Sequence, residues 1–420
     1  MRPCLHAVVV ALLLGASFSS AEPWPSWRGP RGDGTSTETG VPVRWGEQEN
    51  VAWKVPLPGV GHSSPIVWGG RAFLTTCDEK KQERLLLCLS TTDGKELWRQ
   101  TVLRSPLERK NRLNSHASST PATDGKRVWV SFLEWPGKRA WVVCYSVEGA
   151  ELWRKSPGLL DSVHGFCSSL LPYKDMVILN GDQDAEAYIV AFDGATGGER
   201  WRIDRPNRTR SYCPPVIFDL AGKKQLVLSG SKCVASYDPD TGRQHWIVDG
   251  PTEQFCASLV HTRGILCCTG GFPTLHIIGI RPDGAGNVTG SHVIWHVRKD
   301  PSYVPSPIAQ GEHFYVVSDK GVASCLEAQT GKYVWSEKLG KHHSASPVSA
   351  EGRLYFPADE GVTLVVAAGA EYKLLARNEL DDKLLASPAI SGGRIYLRGS
   401  KFLYCVAARQ QAASGGGSEE

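Results

Sequence analysis

Short runs that alternate apolar and polar residues fill the chain from about His62 onward, separated by turns rich in Gly, Pro and Asp. In one pass of this pattern, SSLLPYKDMVILNG, AYIVAFDGATG and ERWRID follow one another. A period of two residues with frequent Gly and Pro predicts β-strands joined by tight turns and excludes helical solenoids. The pattern therefore predicts an all-β chain.

A large apolar residue recurs near the end of each pass, at spacings of 40 to 55 residues. Periods near 40–50 residues with four short strands each are typical of propeller blades. We expect each of these side chains to dock between adjacent blades, over the turn of its neighbour. The positions are Trp53, Trp98, Trp153, Trp201, Trp246, Trp295, Trp335 and, in the seventh pass, Leu375.

The number of strands predicts how the ring closes. Seven passes contain all four strands, whereas the eighth lacks its outermost strand, and the lone strand around Trp53 supplies it. Pairing the two chain ends would remove an exposed sheet edge. The sequence therefore predicts an eight-bladed β-propeller of four-stranded antiparallel blades over residues 47–408, closed by the N-terminal strand.

The most complete turn is AFDGATGGERW, from Ala191 to Trp201. Asp193 can accept hydrogen bonds from the N–H groups of the turn, and Gly197 can adopt the positive φ that the turn requires. Partial copies recur in most passes, so we interpret the stretch as the structural joint between blades.

The two ends of the chain lie outside the repeats. A basic start, a short apolar run and small residues predict a signal peptide over residues 1–21, followed by an extended arm over 22–46. Residues 409–420 are expected to be a disordered tail. Cys4 precedes the apolar run and is not placed as a lipid anchor, and no apolar run is long enough to span a membrane. We expect a periplasmic or secreted monomer.

Charge and cysteine content narrow the function. A net charge of +4 over 420 residues gives no case for nucleic-acid binding. Similar strand-like runs contain Cys88, Cys144, Cys325 and Cys405. This periodic placement indicates small buried side chains instead of a disulfide framework.

Candidate ligand-facing residues precede the innermost strands, which line the channel mouth of a propeller. They include histidines before Ser-rich segments and aromatic–Cys pairs at matching places in three consecutive passes. Imidazoles and thiols around one axis could bind a soft metal or a small ligand; alternatively, they pack the funnel. The candidates are His62, His116, His164, Cys167, Cys213, Cys256, Tyr303 and His343. No metal site is assigned.

The pattern A-x-D-x-x-T-G-x-x-x-W, complete at Ala191–Trp201, resembles the docking motif of pyrroloquinoline-quinone-like (PQQ-like) repeats. That family includes quinoprotein alcohol dehydrogenases and the eight-bladed outer-membrane assembly lipoprotein (BamB-like). The segments PWPSWRGPRGDG, GHSSPIV and YVPSPI are similar to a secreted bacterial subgroup. The resemblance covers roughly residues 24–407 and implies the propeller fold.

Two functions follow from the resemblance. The leading interpretation is a non-catalytic binding or scaffold protein of the envelope, with an unknown protein or small ligand as partner. The alternative is a PQQ- or metal-dependent oxidoreductase with its site at the channel mouth. The adjacent pair Cys267-Cys268 lies in an apparent strand, where alternation points the side chains to opposite faces. We assign no catalytic residue and expect no PQQ despite the family name.

Overall fold

The computed structural model describes residues 21–408 as eight sheets arranged as the blades of a propeller, with one short helix, α1 (Thr289–His292). The predicted all-β, eight-bladed fold is confirmed. The predicted tail and, apart from Ala21, the predicted signal peptide lie outside the described residues. Each blade contains four antiparallel strands counted from the axis outward, with the inner strand first in the chain.

Strands β1 (Thr35–Ser36) and β2 (Val51–Pro56) precede the first blade. Blade 1 contains β3 (Ile66–Trp68), β4 (Arg71–Asp78), β5 (Glu83–Ser90) and β6 (Glu96–Arg104), and blade 2 contains β7 (Ala122–Thr123), β8 (Arg127–Glu134), β9 (Arg139–Ser146) and β10 (Glu151–Leu159). Blade 3 contains β11 (Leu171–Tyr173), β12 (Met176–Gly181), β13 (Ala187–Asp193) and β14 (Glu199–Arg205). Blade 4 contains β15 (Val216–Leu220), β16 (Lys223–Gly230), β17 (Cys233–Tyr237) and β18 (Gln244–Asp249).

Blade 5 contains β19 (Val260–Thr262), β20 (Ile265–Gly270), β21 (His276–Ile280) and β23 (Val293–Val297). Blade 6 contains β24 (Ile308–Gln310), β25 (His313–Val317), β26 (Val322–Glu327) and β27 (Tyr333–Lys338). Blade 7 contains β28 (Val348–Ala350), β29 (Arg353–Pro357), β30 (Val362–Ala367) and β31 (Leu374–Glu379). Blade 8 is β32 (Ala389–Ser391), β33 (Arg394–Arg398), β34 (Phe402–Ala407) and β2. Strand β22 (Gly286–Asn287) adds to the outer edge of blade 4.

The ring closes as predicted, with both chain ends in one blade. Strand β2 pairs antiparallel with β34, placing Trp53 opposite Cys405. The second and third strands of each blade are almost wholly buried, because both of their faces pack against neighbouring blades. Trp53 of β2 and Leu403 of β34 pack in one hydrophobic cluster with leucines of blade 1, so the last blade joins the first.

Tryptophans on the outermost strands connect neighbouring blades. In six blades the indole N–H donates to a backbone carbonyl in the turn between the third and fourth strands of the next blade, at 2.9–3.1 Å. Each of these six indoles therefore docks over a turn of the neighbouring blade. The pairs are Trp53 with Thr91, Trp98 with Val147, Trp153 with Gly194, Trp201 with Pro239, Trp295 with Ala328, and Trp335 with Gly369.

The joint between blades 4 and 5 is built differently. Blade 5 has a longer connection containing α1 in place of the repeated turn. Trp246 is fully buried and donates to the side-chain oxygen of Gln225 at 2.8 Å. The amide nitrogen of Gln225 donates to the Pro282 carbonyl of blade 5 at 2.9 Å. The buried side-chain amide of Gln225 thus bridges Trp246 and blade 5, whereas in six other joints the indole contacts the next blade directly.

The N-terminal arm covers one end of the central channel. Trp24 is fully buried and pairs with Val67 of the inner strand of blade 1. Strand β1 pairs in parallel with β28, placing Thr35 opposite Ser349 of blade 7. Between these two points the arm reaches blade 4, where a Cβ atom at Gly32 would lie 3.7 Å from Val216. We call this end of the propeller the arm face.

Arg28 reaches from the arm into the channel. Its side chain is buried and donates to the carbonyl oxygens of Pro347, at 2.6 Å, and Pro307. These prolines immediately precede the inner strands of blades 7 and 6. Burial lowers the pKa of Arg28 to about 10, against the opposing charge of Asp33. The guanidinium therefore fills the channel as a buried cation bound by carbonyl groups.

The opposite end, which we call the mouth face, carries the loops that lead into the inner strands. It also carries the loops between the second and third strands, because these two sets of connections lie on the same side of an antiparallel blade. The arm covers the arm face, so the mouth face is the open entrance to the channel.

Candidate functional site

A ring of hydroxyl groups surrounds the channel just inside the mouth face. In seven of the eight blades, a Ser or Thr lies two residues before the inner strand. Blade 4 has Pro214 at this position and contributes no hydroxyl. At five places a backbone N–H donates to the hydroxyl of the next blade at 2.9–3.0 Å. The hydroxyl ring consists of Ser64, Thr120, Ser169, Ser258, Ser306, Ser346 and Ser387.

Eight side chains stand one step further out, four residues before each inner strand. All are at least partly exposed, whereas the residues of the hydroxyl ring are buried. The mixture is chemically varied: two thiols, two hydroxyls, one phenol, one imidazole and two aliphatic groups. These mouth residues are His62, Ser118, Cys167, Tyr212, Cys256, Val304, Ser344 and Leu385.

Three predicted candidates, His62, Cys167 and Cys256, are mouth residues. Two more lie beside them. Tyr303 is half-buried next to Val304, and its backbone N–H donates to Asp319 at 2.6 Å. His164 packs its ring 6.2 Å from that of Tyr212.

The side chains of the remaining three candidates are buried. His116 donates through Nε2 to the Glu108 carbonyl at 3.0 Å, and its Nδ1 lies 2.8 Å from a Glu79 carboxylate oxygen. His343 is fully buried and donates through Nδ1 to the Pro357 carbonyl at 2.7 Å. Cys213 is 1% exposed. The two imidazoles thus bind neighbouring segments of the chain, whereas the Cys213 side chain packs in an interblade core.

The mouth residues that were not predicted from the sequence, including Tyr212, each lie four residues before an inner strand. The aromatic–Cys pairs suggested that the cysteine faces the mouth in blades 3, 4 and 5. In blade 4 the pair is shifted by one residue, so Tyr212 is partly exposed at the mouth and Cys213 is buried. The Ser-Pro and Pro-Pro dipeptides before the strands were the signal that fixes this position.

The imidazole of His62, at the mouth, has a pKa well below its usual value. Burial, with the positive charges of Arg398 and Lys110, lowers the pKa of His62 to about 4. Arg398 is itself 2% exposed and donates to the carbonyl oxygens of Ser63 and Thr75. Burial lowers the pKa of Arg398 to about 9. The imidazole of His62 is therefore neutral near neutral pH.

Two cavities open on the mouth face. A cavity of about 650 Å³ lies where blades 1, 2, 7 and 8 meet, and His62, Ser344 and Leu385 contribute to its wall. A second, of about 520 Å³, lies between blades 5 and 6. Phe272, Leu275 and Tyr303 line this second cavity beside the carboxylate of Asp319. Partly buried Asp319 accepts two backbone N–H groups, yet burial raises its pKa.

Large apolar side chains are exposed around the mouth. Phe272 is 50% and Leu113 is 53% exposed, and both occupy loops of the mouth face. Six of the large exposed apolar side chains lie in loops of this one face, distributed from blade 1 to blade 6. We call the set the apolar rim: Val60, Leu113, Val163, Phe272, Leu275 and Val304.

The adjacent cysteines of the sequence do not face the mouth. Cys267 and Cys268 are both buried in β20, and they belong to different interblade cores, as the alternation of a strand requires. Within residues 21–408, no three His, Cys, Asp or Glu side chains come together in a way that could hold a metal ion. The same residues include no helix with the length and apolar character to cross a membrane.

The sequence profile of one family, described as outer membrane protein assembly factor BamB, matches residues 82–263 and 285–371, more than half of the chain. No curated protein matches. Among solved structures, BamB from Moraxella catarrhalis is 11% identical with a TM-score of 0.57, covering 86% of this chain and 98% of that one.

Two dehydrogenases are similar in structure. Quinohemoprotein alcohol dehydrogenase from Comamonas testosteroni is 12% identical with a TM-score of 0.64, covering 95% of this chain and 82% of that one. A europium-containing methanol dehydrogenase is 12% identical with a TM-score of 0.62, covering 90% of each chain. At these identities the likeness shows a shared fold alone.

Proposed function

The chain belongs to the family of the outer membrane protein assembly factor BamB, and from this premise we propose that it is a non-catalytic binding protein of the cell envelope. In this proposal the mouth face holds a segment of a partner protein. The family name supports a role in the assembly of envelope proteins. The predicted signal peptide and a periplasmic or secreted location belong to the same proposal.

The observation that carries the proposal is the contrast between the two ends of the channel. The arm fills one end with buried side chains, of which Trp24 is fully buried. The other end exposes the apolar rim around the mouth residues. Burying exposed apolar area against a partner would contribute about 25 cal/mol per Å² before the costs of association.

The polar side chains in the mouth and behind it support binding better than catalysis. His116 and His343 use ring nitrogens to hold backbone or carboxylate groups. Burial raises the pKa of Cys167 to about 12, which leaves its thiol neutral and a weak nucleophile. The oxidoreductase alternative would need an acid–base group and cofactor ligands, and no observation at the mouth favours it over partner binding.

Paired variants test the proposal. Phe272 and Leu97 are each 50% exposed, but Phe272 lies on the apolar rim whereas Leu97 lies on the outermost strand of blade 1. The partner recovered from envelope extracts with the wild-type chain should bind Phe272→Asp at least about tenfold more weakly, as for a central apolar contact. It should bind Leu97→Asp as tightly as the wild type. Equal binding by all three chains would refute the mouth face as the binding surface.

A further inference from the structure

Hydrogen bonds hold the arm in place from Glu22 onward. The carbonyl oxygen of Glu22 accepts from the Ser391 hydroxyl of blade 8 at 2.6 Å. Its carboxylate accepts from Arg31 at 2.7 Å and from two hydroxyl groups of the arm at 2.9–3.0 Å. Ala21, the residue before it, is exposed. Because the end of a chain is generally loose unless it is tied down, these contacts single out Glu22 as an anchor.

Glu38 supplies a second carboxylate at the same point of the arm. One of its oxygens accepts the backbone N–H of Glu22, and the other accepts the N–H of Gly393, in a turn of blade 8, at 2.9 Å. The nearby Arg31 pairs with Glu22, and within residues 21–408 no Lys, Arg or His side chain forms an ion pair with Glu38. This partly buried carboxylate therefore has neutral donors where a cationic donor would bind more strongly.

The sequence has a cleavage point directly before Glu22. Ser19 and Ala21 are small residues at alternate positions where the predicted signal peptide ends, the arrangement at which such peptides are cut. A cut after Ala21 makes Glu22 the first residue, with a positively charged α-ammonium group in place of the amide N–H. A cut one residue earlier would leave the ammonium on Ala21, about 3.8 Å further along the chain.

We propose that a peptidase of the export machinery hydrolyses the bond between Ala21 and Glu22, and that the new α-ammonium group of Glu22 binds the carboxylate of Glu38. Water adds across the peptide bond: Ala21 leaves with a carboxylate, and the nitrogen of Glu22 takes up the proton. The hydrogen bond to Glu38 then becomes charge-assisted and stronger. Processing thus fastens the arm, which carries Trp24 and Arg28, to blade 8.

The proposal rests on the envelope location in the proposed function but not on partner binding, and its first test locates the start of the exported chain. The full chain is produced in a bacterial host and recovered from the periplasm, and its N-terminal sequence and intact mass are measured. We expect a chain that begins at Glu22. A chain that begins at any other residue, or one that keeps its signal peptide, would overturn the proposal.

The second test measures hydrogen exchange in peptides of the arm. Two purified chains, beginning at Glu22 and at Ser20, are released from the same cleavable N-terminal fusion. The longer chain keeps the N–H of Glu22 but carries its ammonium two residues away. Arm peptides of the chain from Glu22 should exchange about two- to fivefold more slowly, the effect expected of one partly exposed ion pair on local opening.

Paired variants assign this difference to Glu38. Glu38→Gln should abolish it, whereas Glu49→Gln, which removes an exposed carboxylate close to the arm, should leave it unchanged. Equal exchange in the two wild-type chains would overturn the ion pair, as would a difference that persists in Glu38→Gln. The comparison of the wild-type chains decides the matter even if Glu38→Gln fails to fold. Neither test includes a partner, so their failure is distinct from a failure of the mouth face to bind one.

Discussion

Trp129 and Trp153 donate their indole N–H groups to one acceptor, the carbonyl oxygen of Gly194, each at 3.1 Å. Both tryptophans belong to blade 2, and Gly194 belongs to the turn of blade 3. A Cβ atom at position 194 would lie 2.9 Å from the Trp129 ring. Because two indoles donate to its carbonyl oxygen and the Trp129 ring lies so close, position 194 at this blade boundary requires glycine.

Truncating an interblade indole should destabilise the ring. Trp201 is 8% exposed and donates to the Pro239 carbonyl, so Trp201→Ala leaves a cavity and an unpaired acceptor. We expect the free energy of unfolding to fall by about 3–5 kcal/mol. Denaturant unfolding measures it, and Leu97→Ala, at an exposed position, should change it by less than about 0.5 kcal/mol.

Two glycine substitutions separate backbone strain from packing. Gly197 has φ +70° and a Cβ there would lie 2.7 Å from Trp153, whereas Gly222 has φ +75° and open space around it. Gly222→Ala should cost about 1–2 kcal/mol from the left-handed backbone alone. Gly197→Ala should cost about 1–3 kcal/mol more because the indole must move. Equal losses in urea unfolding would show that the indole does not rest on the turn.

The joint turn also explains the acidity of Asp193. Burial opposes ionisation, but hydrogen bonds from Thr196 and Arg200 outweigh it and lower the pKa of Asp193 to about 2. The carboxylate accepts from the backbone N–H of Thr196 at 2.8 Å. Asp193→Asn should keep the shape of the turn but lose charge-assisted bonds, lowering stability by about 1 kcal/mol at neutral pH. Calorimetry of the variant beside Asp219→Asn, at an exposed site, checks this value.

His62 should make stability depend on pH. In the unfolded chain its imidazole takes up a proton near pH 6.5, but in the folded chain it stays neutral down to about pH 4. The unfolded state thus binds more protons in this window, so stability falls as the pH drops from about 6.5 to about 4. His62→Gln should weaken this dependence, as measured by urea unfolding at both ends of the window. An unchanged pH profile would mean that His62 is not shielded.

Two N-terminal truncations separate the contribution of the arm, with Trp24 and Arg28, from the closure of the ring by β2. A chain beginning at Glu38 lacks Trp24 and Arg28 but keeps β2, whereas one beginning at Gly59 also lacks β2. The longer deletion should lower the melting temperature further, because it exposes the edge of β34 and its core contacts. Identical melting curves for the two shortened chains would show that β2 does not close the ring.

The fold was predictable because the same joint recurs: each Trp needs a neighbouring turn at a fixed distance, and this requirement sets the spacing of the repeats. The joint through Gln225 was not predictable, since it replaces a turn that blade 5 lacks with a contact to Pro282. The position of Arg28 in the channel was equally hidden. An arginine in a Gly- and Pro-rich segment is ordinarily a solvated side chain.

The mouth was predicted only in part, for a reason of register. Alternation in an extended chain means that a one-residue error moves a side chain from the mouth to the core. The sequence contains aromatic–Cys pairs in three blades, but only their distance from the inner strand decides which member is exposed. That distance selects Cys167 and Cys256 in blades 3 and 5, and Tyr212 in blade 4.

The most direct test of the proposed function is a map of cross-links to the partner. A photo-activated residue is placed at Phe272 or Leu113 on the mouth face, at Thr196 in a turn of the arm face, or at Leu97 on the outer edge, all of them exposed positions. Binding at the mouth predicts cross-links to one partner polypeptide from Phe272 and Leu113 and none from Thr196 and Leu97. Cross-links concentrated at Thr196 or Leu97 would contradict it.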